Sequence, residues 1–545
     1  MLQHATGITL LVILQATALG QVAEHWERSL DGQRSKAVEV LPNGHSLIAG
    51  ETTHLGAGGR NLFLRRYDVQ GLLLWEVVYD GPLSQHEYFT DLAVAANGQT
   101  YVCGYNTGQG GPQLVLLAAD PGGSILWVVE RPLLMPNFFR PHIAVDDASA
   151  VTVNGDLSGE SWIGRFAADG TLLWEDTLNV FAGMQSGASD IAVAPDGTSF
   201  LAGHAFGWPP EYFLAAYDSA GSHLWTRINS GSIGSLFPPA YAAADEFGNG
   251  FLVGNSESTC GVYEFLAEKF RPDGTTVWNT IFPGNSCSNT TMIDLAVAAG
   301  GDLILAGHGP DYPATSSIDL ITMRIGGRTG QISWIRRFAG TGDNVDLCHG
   351  LALDDAGNIY ITGNTNEVSV ARDITTMAYD GDGGLLWSAT RTENLIAPAL
   401  GVGSSGGVVV ATDSLLVRYH AQIGAGTCAA NANSTGSPAA IEAYGSEALL
   451  VGDLRLVASP VPDAMGLFFH GPSQTQLPFG NGFLCVTGGI VRLGPPAVAS
   501  QGLALRDVDT GGLAASSTHF QYWFRDTNGG GAFHSTSDAV SILLQ

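Results

Sequence analysis

Positive charge is scarce in this chain. Its 545 residues include 23 Lys and Arg against 51 Asp and Glu, which gives a formal net charge of −28. Such a surface repels phosphate over its whole extent, so nucleic acid and anionic lipid are excluded as partners. Charged residues of both signs make up only 14% of the chain, whereas 45% are hydrophobic. The chain can therefore bury one large core or two ordinary ones.

Long hydrophobic runs are missing beyond the start of the chain. The opening, "MLQHATGITLLVILQATALG", has the apolar stretch "ITLLVIL", followed by Ala18 and Gly20 at the −3 and −1 positions of a cleavage site. We interpret residues 1–20 as a secretory signal peptide, although no Lys or Arg precedes the apolar stretch. A membrane anchor is the alternative, but Gln15 ends the run well short of the roughly 20 residues that a span needs. We expect an exported chain, secreted or at the cell surface, with no membrane span when mature.

One short pattern recurs along the chain, as in "YDVQGLLLW" at 67–75 and "YDGDGGLLW" at 379–387. It consists of an extended segment, a turn with glycine and an apolar run closed by Trp. A glycine four positions before a tryptophan is typical of one hairpin built several times. The tryptophans with this spacing are Trp75, Trp127, Trp174, Trp225, Trp278, Trp334 and Trp387, and Trp26 precedes them without the glycine.

A second pattern lies between successive tryptophans, as in "LAVAANGQTYVCG" at 92–104 and "LALDDAGNIYITG" at 351–363. Two apolar strands flank a turn, and the second ends at a glycine six residues after the turn glycine. Together the patterns make a four-stranded unit of about 50 residues, the length of a propeller blade. Eight units fit, so we predict an all-β, eight-bladed β-propeller over residues 21–420. The recurring Trp is then expected to pack between neighbouring blades.

The eighth unit lacks a Trp strand of its own. Its strands are "ALGVGSSG", "GVVVATD" and "SLLVRYH", whereas "EHWERSL" around Trp26 stands alone near the start of the chain. We expect the amino-terminal strand to pair into the last blade and close the ring. This pairing would remove two exposed sheet edges at once.

These units resemble bacterial propeller repeats of the "DxxGNxYxTG" type, and "YDxxGxxLW" is similar to the blade of pyrroloquinoline-quinone dehydrogenases. The resemblance implies the fold and leaves the function open, because propellers serve as enzymes, lectins and scaffolds. Quinoprotein alcohol dehydrogenases resemble one another in a vicinal Cys pair near the cofactor, and this sequence has none. We accordingly expect no cofactor, and metal binding stays open.

The repeat stops before the carboxy-terminal part of the chain. Residues 421–427 are interpreted as a linker, and residues 428–545 have β-like runs of a different rhythm, which predict a β-sandwich. This part resembles a carboxy-terminal module of secreted bacterial proteins through "NSTGSPAAI", "GNGFLCVTGG" and "FQYWFRD". Cys428 and Cys485 are its only cysteines, so in an exported protein we predict a disulfide between them.

Long and varied loops fall on one face of the predicted propeller, and tight turns fall on the other. Binding residues concentrate on such loops, so the long-loop face is the candidate binding surface. Cys260 and Cys287 both fall on this face in the fifth blade, where we predict a second disulfide. Cys103 and Cys348 lie in blades two and seven, too far apart to pair easily, and each is expected to be a buried free thiol.

A polar residue follows the terminal glycine of the second strand in every unit, or its replacement Thr412 in the last one. In a closed ring these side chains could circle the mouth of a central funnel and bind a ligand or a metal. The alternative is that each one caps a strand end or hydrogen-bonds channel water. The eight residues are Glu51, Tyr105, Asp156, His204, Asn255, His308, Asn364 and Asp413.

Aromatic residues on the same face, among them Phe138, Phe139, Trp208 and Tyr212, could stack on sugar rings or could simply anchor loops. Catalytic and nucleotide-binding motifs are absent from the sequence. We therefore predict a secreted, monomeric, non-catalytic binding or scaffold propeller whose partner is a glycan or an extracellular protein. The alternatives are a carbohydrate-active or quinoprotein-like enzyme with its site in the funnel, and a purely structural envelope component.

Overall fold

The protein, seen in a computed structural model, is built almost entirely of antiparallel β-strands. The structure describes residues 22–30, 33–52, 59–81, 86–108, 111–132, 140–157, 159–180, 186–205, 211–230, 240–257, 263–282, 290–310, 317–340, 345–368, 371–392, 399–404 and 406–545. The predicted signal peptide lies outside this part of the chain. Among the described residues, no helix has the length and apolar character needed to cross a membrane.

The repeat forms four-stranded antiparallel units in which consecutive strands pair. β1 (Val22–Ser29) precedes them. The first four units are β2 (Arg34–Val40), β3 (Ser46–Thr52), β4 (Asn61–Tyr67) and β5 (Leu73–Tyr79); β6 (Glu87–Val94), β7 (Thr100–Gly108), β8 (Gly111–Ala119) and β9 (Ile125–Pro132); β10 (Ile143–Val145), β11 (Val151–Leu157), β12 (Glu160–Phe166) and β13 (Leu172–Leu178); and β14 (Ser186–Val193), β15 (Ser199–Ala205), β16 (Glu211–Tyr217) and β17 (His223–Ser230).

The remaining units continue the same meander. They are β18 (Tyr241–Ala244), β19 (Gly250–Glu257), β20 (Tyr263–Phe270) and β21 (Thr276–Phe282); β22 (Thr291–Val297), β23 (Leu303–Pro310), β24 (Ile318–Ile325) and β25 (Ile332–Phe338); β26 (Val345–Leu353), β27 (Ile359–Val368), β28 (Ala371–Tyr379) and β29 (Leu385–Thr392); and β30 (Ala399–Val402), β31 (Val408–Ala411) and β32 (Leu415–Ile423). β1 pairs antiparallel with β32 and supplies the outermost strand of the last unit.

The units are arranged as a ring. The first strand of each unit contacts the first strand of the next, and β30 of the last unit contacts β2 of the first. An all-β propeller closed by its amino-terminal strand is therefore confirmed. The described strands pair as eight blades require, and the blade count itself stays a prediction.

The recurring tryptophans join neighbouring units, as predicted. A Cβ added to the glycine in the outer turn of the next unit would lie only 2.5 to 2.8 Å from the indole ring, and each of these glycines has a positive φ. The indole N–H also donates to a backbone carbonyl of that turn, at 2.8 to 3.1 Å. The pairs are Trp26 with Val69, Trp75 with Pro121, Trp127 with Ala168, Trp174 with Ser219, Trp225 with Pro272, Trp278 with Gly327 and Trp334 with Gly381.

The carboxy-terminal part forms two packed sheets, as expected for a β-sandwich. One is β34 (Ala440–Tyr444), β35 (Arg455–Ser459) and β41 (Ala504–Asp507), joined to β32. The other contains β33 (Ala425–Thr427), β36 (Met465–Gly471), β39 (Val491–Arg492), β40 (Ala497–Val498), β42 (Ser517–Arg525) and β43 (His534–Leu543), and β37 (Ser473–Phe479) pairs with β38 (Gly482–Thr487). A short 3-10 helix spans Thr510–Gly512. Aliphatic and aromatic side chains such as Leu456, Phe468 and Phe520 fill the space between the sheets.

Most of the predicted linker 421–427 is strand, because β32 runs past the propeller to pair with β34 and β33 pairs with β43. The domain boundaries stay predictions. The predicted disulfide between Cys428 and Cys485 is present. Cys103 and Cys348 are buried free thiols, as expected.

A buried polar network joins the propeller to the sandwich. Arg418 of β32 and Asp453, just before β35, form an ion pair at 3.1 Å, and both side chains are almost fully buried. Arg418 Nε donates to His420, whose Nδ1 lies 3.0 Å from Nδ1 of His25 in β1. Arg455 donates to the carbonyl oxygen of His25. Removing one partner of such a buried pair typically costs about 3–5 kcal/mol, so these contacts fix the junction.

Candidate functional site

The first strand of each unit faces the axis of the ring, and an irregularity recurs within these strands. The pairing between the first and second strands shifts by one residue at the same place in several units. The shifts fall directly before Ala37, Asp91, Asp190, Asp294 and Gly350. A β-bulge of this kind bends the strand and re-aims the side chain that follows it.

The position that follows this shift lies seven residues before the turn glycine, or before Ser149 in the third unit, and its chemistry divides the ring into two sides. In five consecutive units it is polar: Asp91, His142, Asp190, Tyr241 and Asp294. In the other three units, which are also consecutive, it is small: Gly350, Ala399 and Ala37. The axis thus has a polar wall on one side and small residues on the other.

The three aspartates of the polar wall also connect neighbouring units. Each accepts the backbone N–H of its own next residue at 2.8 Å and one N–H from the first strand of the following unit. The second donors are Ile143 to Asp91 at 3.0 Å, Ala242 to Asp190 at 2.9 Å and Leu351 to Asp294 at 3.0 Å. His142 lies beside Asp91, with 3.4 Å between Nδ1 and the carboxylate. The wall is therefore rigid, because its carboxylates are held by main-chain donors.

The ionisable side chains of the wall interact electrostatically with one another, and these interactions shift their pKa values. Burial raises the pKa of Asp190 to about 6, against the opposing charge of His142. Burial raises the pKa of Asp294 to about 7, and the charges of Asp190 and Asp91 add to this rise. Burial lowers the pKa of His142, but its hydrogen bond and ion pair with Asp91 outweigh burial and bring the pKa to about 8. The wall can therefore hold both accepting and donating groups near neutral pH.

Tyr241 completes the polar wall, and Glu39 lies in the first unit on the opposite side of the axis. The hydroxyl of Tyr241 makes no hydrogen bond within the described residues. Desolvation raises the pKa of Glu39 to about 7, helped by the charge of Asp91. The side chain of Glu39 is nevertheless exposed, as expected for a group that is deep in the protein but lines an open channel. The same position in the other units is Ala or Gly, so Glu39 is the polar group of its layer.

The residues of this wall are not among those predicted from the sequence, although the sequence carries a signal for them. The strings "DLAVAANG", "DIAVAPDG" and "DLAVAAGG" place an aspartate at one position of the first strand in alternate units. A charged residue directly before the apolar half of an inner strand is unexpected unless it faces a polar space. The bulge that aims it there is a pairing feature and is not visible in the sequence.

The predicted funnel residues lie on the second strands, except Asp413, which lies just beyond β31. Glu51 forms an ion pair with Arg60 at 3.1 Å. Tyr105 stacks on Tyr88, with 4.9 Å between ring centroids, and interacts electrostatically with Glu51. Asp156 is fully buried and accepts the N–H of Ala188 in the next unit, and burial raises its pKa to about 7.

The two predicted histidines lie in different units, on β15 and β23. His204 is buried against the edge of Tyr212, and His308 interacts with His349 of the next unit. Burial lowers the pKa of each to about 4, so both are neutral at pH 7. Asn364 is buried and Asp413 is partly exposed beyond β31, whereas the side chain of Asn255 lies outside the described residues. No contact within the described chain joins His204 to His308, and no group of metal-binding side chains occurs there.

Of the other predicted site residues, only Tyr212 lies in the described part of the propeller. Tyr212 is buried and does not offer a surface for stacking. Phe138, Phe139 and Trp208 lie outside the described residues, as do Cys260 and Cys287 of the predicted second disulfide.

Comparison with protein families identifies part of the repeat. A family model described as "Beta-propeller repeat" matches residues 333–368. The chain carries a β-propeller repeat. No curated protein matches the sequence.

Solved propeller structures are distant. A quinohemoprotein alcohol dehydrogenase from Pseudomonas putida HK5 is 12% identical, with 73% of this chain and 76% of that chain covered and a TM-score of 0.45. The WD40 domain of SCAP from fission yeast is 10% identical, with 76% and 98% covered and a TM-score of 0.43. A streptogramin B lyase is 11% identical, with 61% and 93% covered and a TM-score of 0.38. Identities and TM-scores this low do not indicate a shared activity.

Proposed function

We propose that this chain is an exported, extracellular binding protein that acts as a monomer, and that its ligand enters the axial channel from the long-loop face. The observation that carries the proposal is the two-sided ring, with a polar wall in five consecutive units and small residues in the other three. A site needs both a set of directed polar groups and space for the ligand. The residues of the polar wall are partly exposed, so they are accessible from the axis.

The ligand that suits this wall is a sugar. Carboxylate oxygens accept hydrogen bonds from sugar hydroxyls, and Tyr241 offers both a hydroxyl and a ring face. The aspartates are fixed by backbone N–H groups, so little conformational freedom is lost when a ligand binds. The net negative charge of the wall and of the whole chain disfavours acidic sugars, which leaves neutral or amino sugars as the preferred class.

The proposal is tested by thermal unfolding of the full chain against neutral, amino and acidic oligosaccharides. A ligand at about 100 times its Kd adds roughly 2.7 kcal/mol to the stability of the protein that it binds. Tyr241→Phe removes only a hydroxyl, so it should weaken binding about fivefold, the worth of one hydrogen bond of about 1 kcal/mol. Tyr522→Phe is the matched control, because it removes a hydroxyl buried in the sandwich.

We expect a neutral or amino sugar to raise the unfolding temperature of the wild type and of Tyr522→Phe, and to act less on Tyr241→Phe. An equal response of all three proteins would place the site outside the channel, and no response to any sugar would remove the sugar proposal. Consumption of the sugar during incubation would favour the enzymatic alternative over a binding protein.

A further inference from the structure

A second cavity, separate from the axial channel, lies where the seventh unit meets the carboxy-terminal sheets. Its volume is about 690 Å³, within the range of roughly 300–1,000 Å³ that ligand sites occupy. The turn before β27, the start of β29, the end of β32 and the loop after β34 all contribute to its walls. Its lining contains none of the predicted funnel residues and none of the polar wall.

The cavity exists because of the way the ring closes. In each earlier boundary, the tryptophan of one unit is covered by the outer turn of the next unit. Trp387 of β29 has no such cover, because the last unit takes its outermost strand from the amino terminus and β32 continues into the sandwich. The outer turn is missing at this boundary, and the space that it would occupy is left open beside the indole.

Trp387 differs from its counterparts in one further respect. Seven recurring tryptophans donate their indole N–H to a carbonyl of the next unit, whereas the Trp387 N–H has no acceptor among the described residues. The side chain is only 3% exposed and lines the cavity. A buried indole N–H usually finds a hydrogen-bond partner, so this donor is available to an acceptor on a ligand.

The charge of the cavity lining favours a ligand with a cationic group. Asp354 and Glu447 contribute carboxylates, and the described lining contains no Lys, Arg or His. Asp354 is held by Asn358 and by the hydroxyl of Tyr360, at 2.8 and 2.9 Å, so its position is fixed. An anionic ligand is disfavoured here, whereas an ammonium or guanidinium group is attracted and can also stack near the indole.

We propose that this cavity binds a basic peptide segment. A backbone carbonyl oxygen of the peptide accepts the indole N–H of Trp387, and a Lys or Arg side chain lies toward Asp354 and Glu447. A basic peptide carries both a carbonyl acceptor and a positive charge, which match the indole N–H and the carboxylates of the cavity. The site does not depend on the axial channel, so its test is independent of the sugar proposal.

The test is fluorescence anisotropy with a labelled acetyl-Gly-Lys-Arg-Gly-amide peptide and the full chain, beside the Gly-Glu-Glu-Gly counterpart. Trp387→Phe keeps an aromatic ring and removes the donor, and Glu447→Gln removes a charge at a partly exposed site. Trp334→Phe is the matched control, because it removes an indole N–H that is already bonded to Gly381. We expect the Kd of the basic peptide to rise about fivefold in Trp387→Phe and in Glu447→Gln, and to stay unchanged in Trp334→Phe.

Three results would overturn the proposal. Equal binding of the basic and acidic peptides would remove the role of the carboxylates. Equal affinity of Trp387→Phe and Trp334→Phe would remove the role of the Trp387 indole N–H. Displacement of the peptide by free agmatine at the same concentration as by the unlabelled peptide would assign the site to small organic cations, with no part for the peptide backbone.

Discussion

The contact between tryptophan and glycine at each unit boundary makes a quantitative prediction. Gly170 has φ +85°, and a Cβ on it would lie 2.8 Å from Trp127 Cδ2. Gly357 has φ +80°, and a Cβ there would meet nothing within 4 Å. Replacing either glycine by Ala requires an L side chain to adopt the left-handed conformation, at about 1–2 kcal/mol. Only Gly170→Ala must also displace an indole.

The additional cost at Gly170 follows from packing. Moving the ring of Trp127 adds overpacking of about 1–3 kcal/mol, and it strains the hydrogen bond of 2.8 Å to Ala168. We expect Gly170→Ala to be less stable than Gly357→Ala by about 2 kcal/mol. Both substitutions reduce the freedom of the unfolded chain to the same extent, so this effect cancels in the comparison.

The assay is urea unfolding followed by fluorescence, with midpoints compared at matched slopes. A double-mutant cycle with Trp127→Leu isolates the contact, because Gly170→Ala should cost no more than Gly357→Ala once the indole is absent. Equal midpoints for Gly170→Ala and Gly357→Ala in the wild-type background would refute the reasoning. So would an additive double mutant.

Further predictions concern the sandwich, the junction and the channel. Cys485→Ser should lower the free energy of unfolding of the carboxy-terminal part by about 2–4 kcal/mol in urea unfolding, since the bond with Cys428 closes a loop with a sequence separation of 57. Burial lowers the pKa of both His25 and His420. The neutral imidazoles contribute fully to the stability of the junction above about pH 6.5, and this contribution is lost as pH falls. Limited proteolysis should therefore cleave the junction faster at pH 4.5 than at pH 7.5. Burial raises the pKa of Asp294 to about 7. The contribution of its protonated form to stability is full below the unfolded pKa and is lost as pH rises through 7. The unfolding temperature of Asp294→Asn, relative to that of the wild type, should therefore be higher at pH 8 than at pH 5.

Much of the fold could be predicted from the sequence because it is repeated. Each copy of the glycine and tryptophan spacing describes the same turn, and the missing Trp strand of the last unit requires the strand around Trp26 to complete it. Repetition makes such local signals agree with one another. The disulfide between Cys428 and Cys485 was predictable because no other cysteine lies in that part of the chain.

The channel wall and the junction depend on contacts that no local pattern encodes. Asp190 and Asp294 face the axis because a bulge shifts the pairing of their strands, and a bulge is set by both strands together. The pairing of Arg418 with Asp453 joins residues from different domains. The histidines at 204 and 308 were predicted to line a funnel from their place at strand ends; His204 contacts Tyr212 of its own unit and His308 interacts with His349 of the next one. Their part in a funnel stays a prediction.

The most direct measurement is a crystal structure of the protein soaked with the sugar that gives the largest thermal shift. The account predicts density for the ligand on the axis, in hydrogen-bond contact with Tyr241 and at least one aspartate of the polar wall, and filling the side lined by Gly350 and Ala399. Density confined to the long loops or to the sandwich, with water alone on the axis, would contradict it.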